Sequence, residues 1–343
     1  MANGESDPVP CDDYSEFDSP ATIEAIAGAL RDGGHEVYLV EADERLPKWF
    51  LTHAVDLVFN IAEGASGQHR ESQVPAILES LGIPFTGSDS LTLALALDKA
   101  KTKQVLAYEG LPTPAWQLFP TADTALHPGL AFPLIVKPNR EGSAKGILRE
   151  SVVWDEPALR RQVQRIHRRY HQEVLVEEFI EGLELTVGVL GDDAPQALPI
   201  LEIDFSTCQH SGEFFYSWRM KEYQGDAERG FNPTFHCPAR LDDKLAARVQ
   251  EVALRAHQAL GCRDLSRTDI RLRHDGVPFV LEVNPLPGLD PMESNFPIIS
   301  AAAGISYPTL INQVVELALA RYRKDTQTQE PSSGQLEVSR HAP

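Results

Sequence analysis

Residues 267–284 constrain the fold of this chain more than any other stretch, because they read as two alternating runs joined by Asp275-Gly276. Alternation with period two marks a half-buried strand, and an Asp-Gly pair between two such runs marks a hairpin. In the first run Ile270 and Leu272 point to one face and Arg267, Asp269 and Arg271 to the other; in the second, Phe279, Leu281 and Val283 oppose Val280, Glu282 and Asn284. With Asp275 and Gly276 as a two-residue loop, His274 pairs with Val277, Asp269 stands opposite Glu282, and Arg267 stands opposite Asn284. Carboxylates facing each other across strands repel unless a positive charge lies between them. Two carboxylates and an amide oxygen suit Mg²⁺, a hard ion that keeps its other positions for water and phosphates. A solvated face screened by Arg267 and Arg271 accounts for the same residues equally well. The run Asn284-Pro285-Leu286-Pro287-Gly288-Leu289 is too rich in turn formers to continue the strand and sends a loop away beside the acids.

The 343 residues are 42% hydrophobic and 24% charged, ordinary for a globular chain of two or three domains. A formal charge of −19 argues against nucleic acid or an anionic membrane as the main partner. Cys11, Cys208, Cys237 and Cys262 lack metal-type spacing and point to a reducing compartment. No apolar run approaches the roughly 20 residues of a membrane span, and the chain reads as cytoplasmic.

Helix and strand alternate, which places the chain in the α/β class. A polar arm is followed by a helix after Ser19-Pro20, then by buried strands over residues 35–40 and 55–61, a helix over 73–81 and one long helix over 90–108 that carries Lys99, Lys101 and Lys103. A short strand ends in Lys137, and the loop Asn139-Arg140-Glu141-Gly142-Ser143-Ala144-Lys145-Gly146 follows it. Such a loop can wrap phosphates with its amide groups, although it is no Walker A motif. Strands over 173–180 and 183–190 carry Glu177, Glu178, Glu181 and Glu184; a polar, aromatic segment over 206–236 reads as a lid; and helices cover 241–260 and 307–322.

VKPNREGSAKG, VEEFIEGLE, and R-x-D followed by E-x-N occur in that order, and together they resemble the ATP-grasp ligases, most closely the D-alanine–D-alanine ligase family, over roughly residues 16–322. The resemblance implies an ATP-grasp fold with an N-terminal Rossmann-like domain: an arm at 1–15, an N-terminal α/β domain at 16–98, a central subdomain at 99–186, a C-terminal subdomain at 187–325 and a disordered tail at 326–343. It implies a homodimer, amino-acid substrates, and ATP with Mg²⁺ or Mn²⁺. Lys99, Lys137, Glu141, Ser143 and Lys221 would serve the phosphates, Glu177, Glu178, Phe179, Ile180, Phe215 and Leu281 the adenine, and Glu184 the ribose. Asp269, Glu282 and Asn284 match the family's metal ligands, and Arg267, Gly288 and Ser143 its catalytic groups. Glu16, Tyr223 and Ser294 would hold the amino acids. Three departures concern substrate: no strand precedes Glu16 where the family opens with a Gly-ended one, the lid's Lys-Tyr reads Lys221-Glu222-Tyr223, and Ser294 needs a one-residue insertion. The expected reaction is ATP-dependent ligation through an acylphosphate; ligation of amino acids other than D-alanine, and ATP binding without catalysis, are the competing readings.

Overall fold

The structure is a computed structural model that describes residues 16–208 and 210–328. The arm at 1–15 and the tail beyond 328 lie outside those residues. Ser19-Pro20 starts helix α1 (Pro20–Asp32): Ser19 Oγ accepts the Thr22 amide at 3.1 Å, and proline sits in the first turn, where no amide hydrogen is needed. Its Ile26, Ala29 and Leu30 pack against Leu310, Ile311, Val314 and Val315 of the last helix.

The N-terminal half departs from expectation. Residues 35–40 form no strand and are largely exposed, Tyr38 at 58% and Leu39 at 56%. Residues 55–61 contribute one parallel bridge, Val58 to Phe85. A strand persists only through ladder hydrogen bonds to a neighbour, and among the described residues neither segment has more than that bridge. The Rossmann-like sheet is thereby reduced to it, flanked by α2 (Leu46–Phe50), α3 (Gln73–Leu81) and α4 (Ser90–Leu97). The long helix expected over 90–108 is two, α4 and α5 (Lys99–Tyr108), interrupted at Asp98. Asp98 leaves helical geometry with ψ 95°, and its carboxylate accepts from the Lys101 amide at 3.0 Å, Asn139 Nδ2 at 2.9 Å and Arg140 Nε at 2.9 Å.

Two antiparallel sheets follow. The first contains β1 (Trp116–Phe119), β2 (Leu134–Pro138), β3 (Val152–Val153) and β4 (Val174–Glu178) in the order β1-β4-β2-β3. Helix α6 (Glu156–Tyr170) covers it through Leu159, Val163 and Ile166. The second contains β5 (Gly182–Leu190), β6 (Gln196–Asp204), β7 (Thr234–His236), β8 (Leu265–Arg273) and β9 (Pro278–Asn284) in the order β7-β6-β5-β8-β9. The lid holds α7 (Trp218–Glu222), and α8 (Asp243–Leu260) lays Val249, Val252 and Ala256 on Leu185, Val187, Ile270 and Val280. Each such buried aliphatic side chain contributes roughly 1.5–3 kcal/mol. Helices α9 (Asn295–Ala302) and α10 (Tyr307–Thr328) cover the opposite face, and α10 runs past Tyr322 into the segment expected as tail.

The hairpin reaches its register by two irregularities that cancel. The Arg273 amide donates to the Val277 carbonyl at 3.0 Å and the Gly276 amide to the Arg273 carbonyl at 2.8 Å, so the loop is His274, Asp275 and Gly276 rather than two residues. Gly276 supplies the positive φ, 78°, that a three-residue loop requires. This alone would displace the acids by one place. A bulge at Leu281 restores them: Ile270 pairs with Val280, yet Asp269 pairs with Glu282 and Arg267 with Asn284. The bulge also corrects the faces, because Val280 and Val283 both enter the core while Leu281, Glu282 and Asn284 line the cleft.

Gly182 joins the two sheets with φ 153°, and a Cβ there would overlap the Leu272 carbonyl oxygen. Gly182→Ala is expected to lower the unfolding free energy by about 2 kcal/mol. A chemical-denaturation midpoint equal to that of the parent protein would contradict this placement.

Candidate active site

The two sheets face each other across a cleft of about 550 Å³ whose lining includes residues of both, of the lid and of the N-terminal half. One end of it is built on α5. Lys99 and Lys103 are four residues apart and therefore share a helix face, which points inward, while Lys101 is exposed. Lys103 is fully buried and Lys137 nearly so, and they lie 2.8 and 2.6 Å from the two carboxylate oxygens of Glu177. Burial lowers the Lys103 ammonium to about 8 in spite of Glu177, and Lys137 adds like-charge repulsion. Burial would raise Glu177, but the two lysines hold it below its ordinary value. The expected adenine contact of Glu177 meets a carboxylate already occupied by lysines; its neighbours Glu178, Phe179 and Ile180 line the cleft.

The loop after β2 is held from several sides. Arg140 reaches Asp98 at 2.9 Å and Glu173 at 2.6 Å, Glu141 reaches Lys145 at 2.9 Å, and Lys99 Nζ donates to the Glu141 carbonyl at 2.6 Å. Ser143 and Ala144 adopt left-handed conformations at φ 49° and 55°. The lid touches this loop where Lys221 Nζ donates to Ser143 Oγ at 2.7 Å. Burial lowers the Lys221 ammonium.

Glu16 underpins the loop. Its Oε1 accepts from Arg70 at 2.6 Å and from the Gly142 amide at 2.6 Å, with Lys145 3.5 Å from Oε2. Burial opposes ionisation, yet Arg70 and Lys145 hold the carboxyl below its ordinary value. The expectation that Glu16 anchors an amino acid meets a carboxylate that lines the cleft and is already paired with Arg70 and Lys145. A depressed folded-state value contributes stability that is present above the ordinary carboxylate range and lost as pH falls through the folded value. Glu16→Gln is expected to flatten the fall in melting temperature below pH about 4.5. An acid limb as steep as the parent's would contradict that role.

At the hairpin, Asp269 accepts from Arg267 Nε at 3.0 Å and Nη2 at 2.9 Å, from Thr186 Oγ1 at 2.7 Å and from Asn284 Nδ2 at 3.1 Å. Glu282 lies 3.3 Å from Lys99. Burial would raise Glu282, but Lys99, Lys137 and Arg267 hold it at about 2. The carboxylates of Asp269 and Glu282 in register across the hairpin, with the Asn284 amide two residues on from Glu282, form a hard-oxygen donor set, so these residues fit Mg²⁺ or Mn²⁺.

A second part of the cleft is apolar. Phe179, Phe214 and Phe215 meet edge to face with centroids 5.3–6.0 Å apart, and Ile135, Ile180 and Leu281 join the lining. Glu184 is raised by burial even though Arg271 lies 2.8 Å away and the Tyr216 amide 3.3 Å away.

At the other end, Gly288 and Ser294 are adjacent: a Cβ on Gly288 would come 2.8 Å from Ser294 Oγ, so a larger residue there would displace the hydroxyl. Tyr223 does not line the cleft. It packs against Trp218 and Phe231, with centroids 6.2 and 5.5 Å away, because the intervening Glu222 turns the lid helix by one residue and faces the cleft itself. Tyr216 lines the cleft, and its hydroxyl donates to Gln224 at 2.7 Å. Lys103, Asp18, Thr186, Tyr216, Glu63 and Glu71 were not foreseen. The four-residue spacing from Lys99 could have found Lys103; the remainder are joined only by tertiary structure.

A family model described as the D-ala D-ala ligase C-terminus matches residues 105–316. The chain is 34% identical to the uncharacterized protein y4sG of Sinorhizobium fredii over 307 residues, covering 87% of this chain and 88% of that one. It is also 34% identical to a D-alanine–D-alanine ligase of Desulforudis audaxviator over 301 residues, covering 87% and 92%. The solved D-alanine–D-alanine ligase of Bacillus anthracis complexed with ATP superposes with a TM-score of 0.71 at 28% identity, covering 90% of this chain and 97% of that one. The chain belongs to the D-alanine–D-alanine ligase family, ATP-grasp enzymes that form carbon–nitrogen bonds.

Proposed function

We propose that the protein joins two amino acids into a dipeptide with ATP, in the cytoplasm and as a homodimer, and that the cleft residues divide the work as follows. The observation that carries this reading is the Asp269–Glu282 register, with Lys99 on one acid and Arg267 on the other, beside the Ser143 loop. Adenine would lie against Phe179, Phe215, Ile180 and Leu281, with Glu178 at its edge and the ribose at Glu184. Lys99, Lys137, Lys221 and the Glu141–Gly146 loop would receive the phosphates. Asp269, Glu282 and Asn284 would hold Mg²⁺, which when bound neutralises charge on the phosphoryl oxygens.

The carboxylate of the first amino acid attacks the γ-phosphorus, ADP leaves, and an acylphosphate results. The amine of the second amino acid then attacks the acyl carbon, loses its proton, and phosphate departs. Arg267 and the Gly288 amide would stabilise the oxyanion of the tetrahedral intermediate. Ser294, whose Oγ accepts from the Asp290 amide at 3.0 Å and does not cap α9, would donate its O–H to the second carboxylate. The first α-ammonium is assigned to Asp18 instead of Glu16, since Asp18 lines the cleft and carries no ion pair among the described residues. A net charge of −19 disfavours nucleic acid, and among the described residues no single helix is long and apolar enough to cross a membrane.

The test is ADP release in the presence of Mg²⁺ across pairs of free amino acids. Release that requires both amino acid and metal supports ligation; ATP binding with no release for any pair supports a binding protein instead.

A further inference from the structure

Three acids of the cleft, Asp18, Glu63 and Glu71, have no cation in contact; Arg70 and Lys99 act on Glu71, Arg70 on Glu63 and Lys221 on Asp18 only from beyond ion-pair distance. None of the three has a hydrogen bond or ion pair among the described residues. Glu71 is only 9% exposed and still lacks a partner, which is costly for an ionised carboxylate unless a ligand supplies the counter-charge. The neighbouring cations are committed elsewhere: Arg70 to Glu16, Lys145 to Glu141, Lys99 to Glu282 and Arg267 to Asp269. Lys221 is held at Ser143, in the region assigned to phosphate.

The acids share one cleft and interact electrostatically: Glu71 with Glu16 and Glu282, Glu63 with Glu71, Glu16 and Asp18, and Asp18 with Asp290. Among the described residues no three acids, histidines or cysteines come together closely enough to hold a metal ion. A spread of separated carboxylates suits an organic molecule with two separated cationic groups. Burial raises all three, Glu71 to about 7, the behaviour of anionic positions without their counter-ion.

One α-ammonium, on the amino acid whose carboxylate is activated, satisfies one of the three. Asp18 and Glu63 border Gly288 together, in a recess shared with Pro287 and Leu289, and so face that first amino acid. Building on the ligase reading, we infer that the first substrate is a basic amino acid, its α-ammonium held by Asp18 and its side-chain ammonium or guanidinium by Glu63 and Glu71.

The test is calorimetry on the full chain with Mg²⁺ and a non-hydrolysable ATP analogue, titrating lysine, arginine and alanine of each handedness. The expected result is that a basic amino acid binds at least tenfold more tightly than alanine of the same handedness, and that Glu63→Gln weakens the basic ligand at least tenfold while changing alanine less. Glu71→Gln serves as the second variant if Glu63→Gln fails to fold. Equal or weaker binding of every basic amino acid, or a preference that survives both substitutions, overturns the inference. ADP release measured in parallel separates the two claims: turnover with alanine pairs alone and no basic preference leaves ligation standing and overturns the inference, whereas tight basic binding without ADP release for any pair overturns ligation and keeps the site.

Discussion

Asp269→Asn is expected to reduce amino-acid-dependent ADP release by about a thousandfold, since a bound metal contributes several kcal/mol of charge stabilisation and each 1.36 kcal/mol is a factor of ten. The substitution keeps the size of the side chain and its place opposite Glu282, so the sheet has no steric reason to change. It removes the charge that Arg267 clamps through two nitrogens at 3.0 and 2.9 Å. ATP binding should fall far less than turnover, because Lys99, Lys137 and the apolar base end remain. Steady-state kinetics with a direct ATP-binding titration separates the two effects. A variant with unchanged turnover would remove the metal assignment, and one that loses ATP binding and turnover equally would show Asp269 to be a nucleotide-positioning residue.

The largest expected effect on stability is at Lys103. Lys103→Met leaves the Oε2 of the fully buried Glu177 facing an apolar side chain, with Lys137 remaining on Oε1. Breaking one member of a buried charged set typically costs 3–5 kcal/mol, because the remaining charge is stranded, whereas replacing both partners with apolar groups can be nearly neutral. Lys103→Met is therefore expected to lose about 3 kcal/mol in chemical denaturation, and Lys103→Met with Glu177→Leu to recover most of it. The double variant also releases Lys137, so its affinity for ATP should change even where its stability does not. Additive losses in the double variant would show that the two side chains are not coupled.

Much of this site was legible in the sequence because it depends on short-range pattern. Alternation in the hairpin put Asp269 opposite Glu282, but the loop has one more residue than Asp-Gly suggests and the bulge at Leu281 cancels the difference. Alternation carries no record of a bulge, so the same reading put Val280 on the wrong face. The split of the expected 90–108 helix at Asp98 was hidden for a different reason. Local propensity favours continuation through Leu97-Asp98-Lys99, and beside the local bond from the Lys101 amide it is Asn139 and Arg140, some forty residues on, that hold the Asp98 carboxylate in its capping position. Residues 35–40 have the apolar, β-branched composition of a strand, yet composition cannot state whether a neighbour exists to pair with.

The substrate end was least legible. Glu16 and Asp18 are both acids in one short segment before α1, and nothing local tells which is neutralised; Arg70 and the loop that carries Gly142 and Lys145 decide it from two other places in the chain. Tyr223 was expected in the cleft from its nearness to Lys221, but Glu222 takes the cleft-facing position and Tyr223 joins Trp218 and Phe231. The residues proposed for nucleotide and metal depend on backbone register and helix spacing, both of which repeat in sequence. The substrate residues depend on loops brought together from distant segments.

The most direct test of the central claim is mass-spectrometric detection of product alongside ADP, with purified protein, ATP, Mg²⁺ and a panel of amino-acid pairs. The account predicts one dipeptide formed per ADP for at least one pair, and neither product when Mg²⁺ is removed or Asp269 is replaced by asparagine. ADP released without any dipeptide, or dipeptide formed at the parent rate by Asp269→Asn, would contradict it.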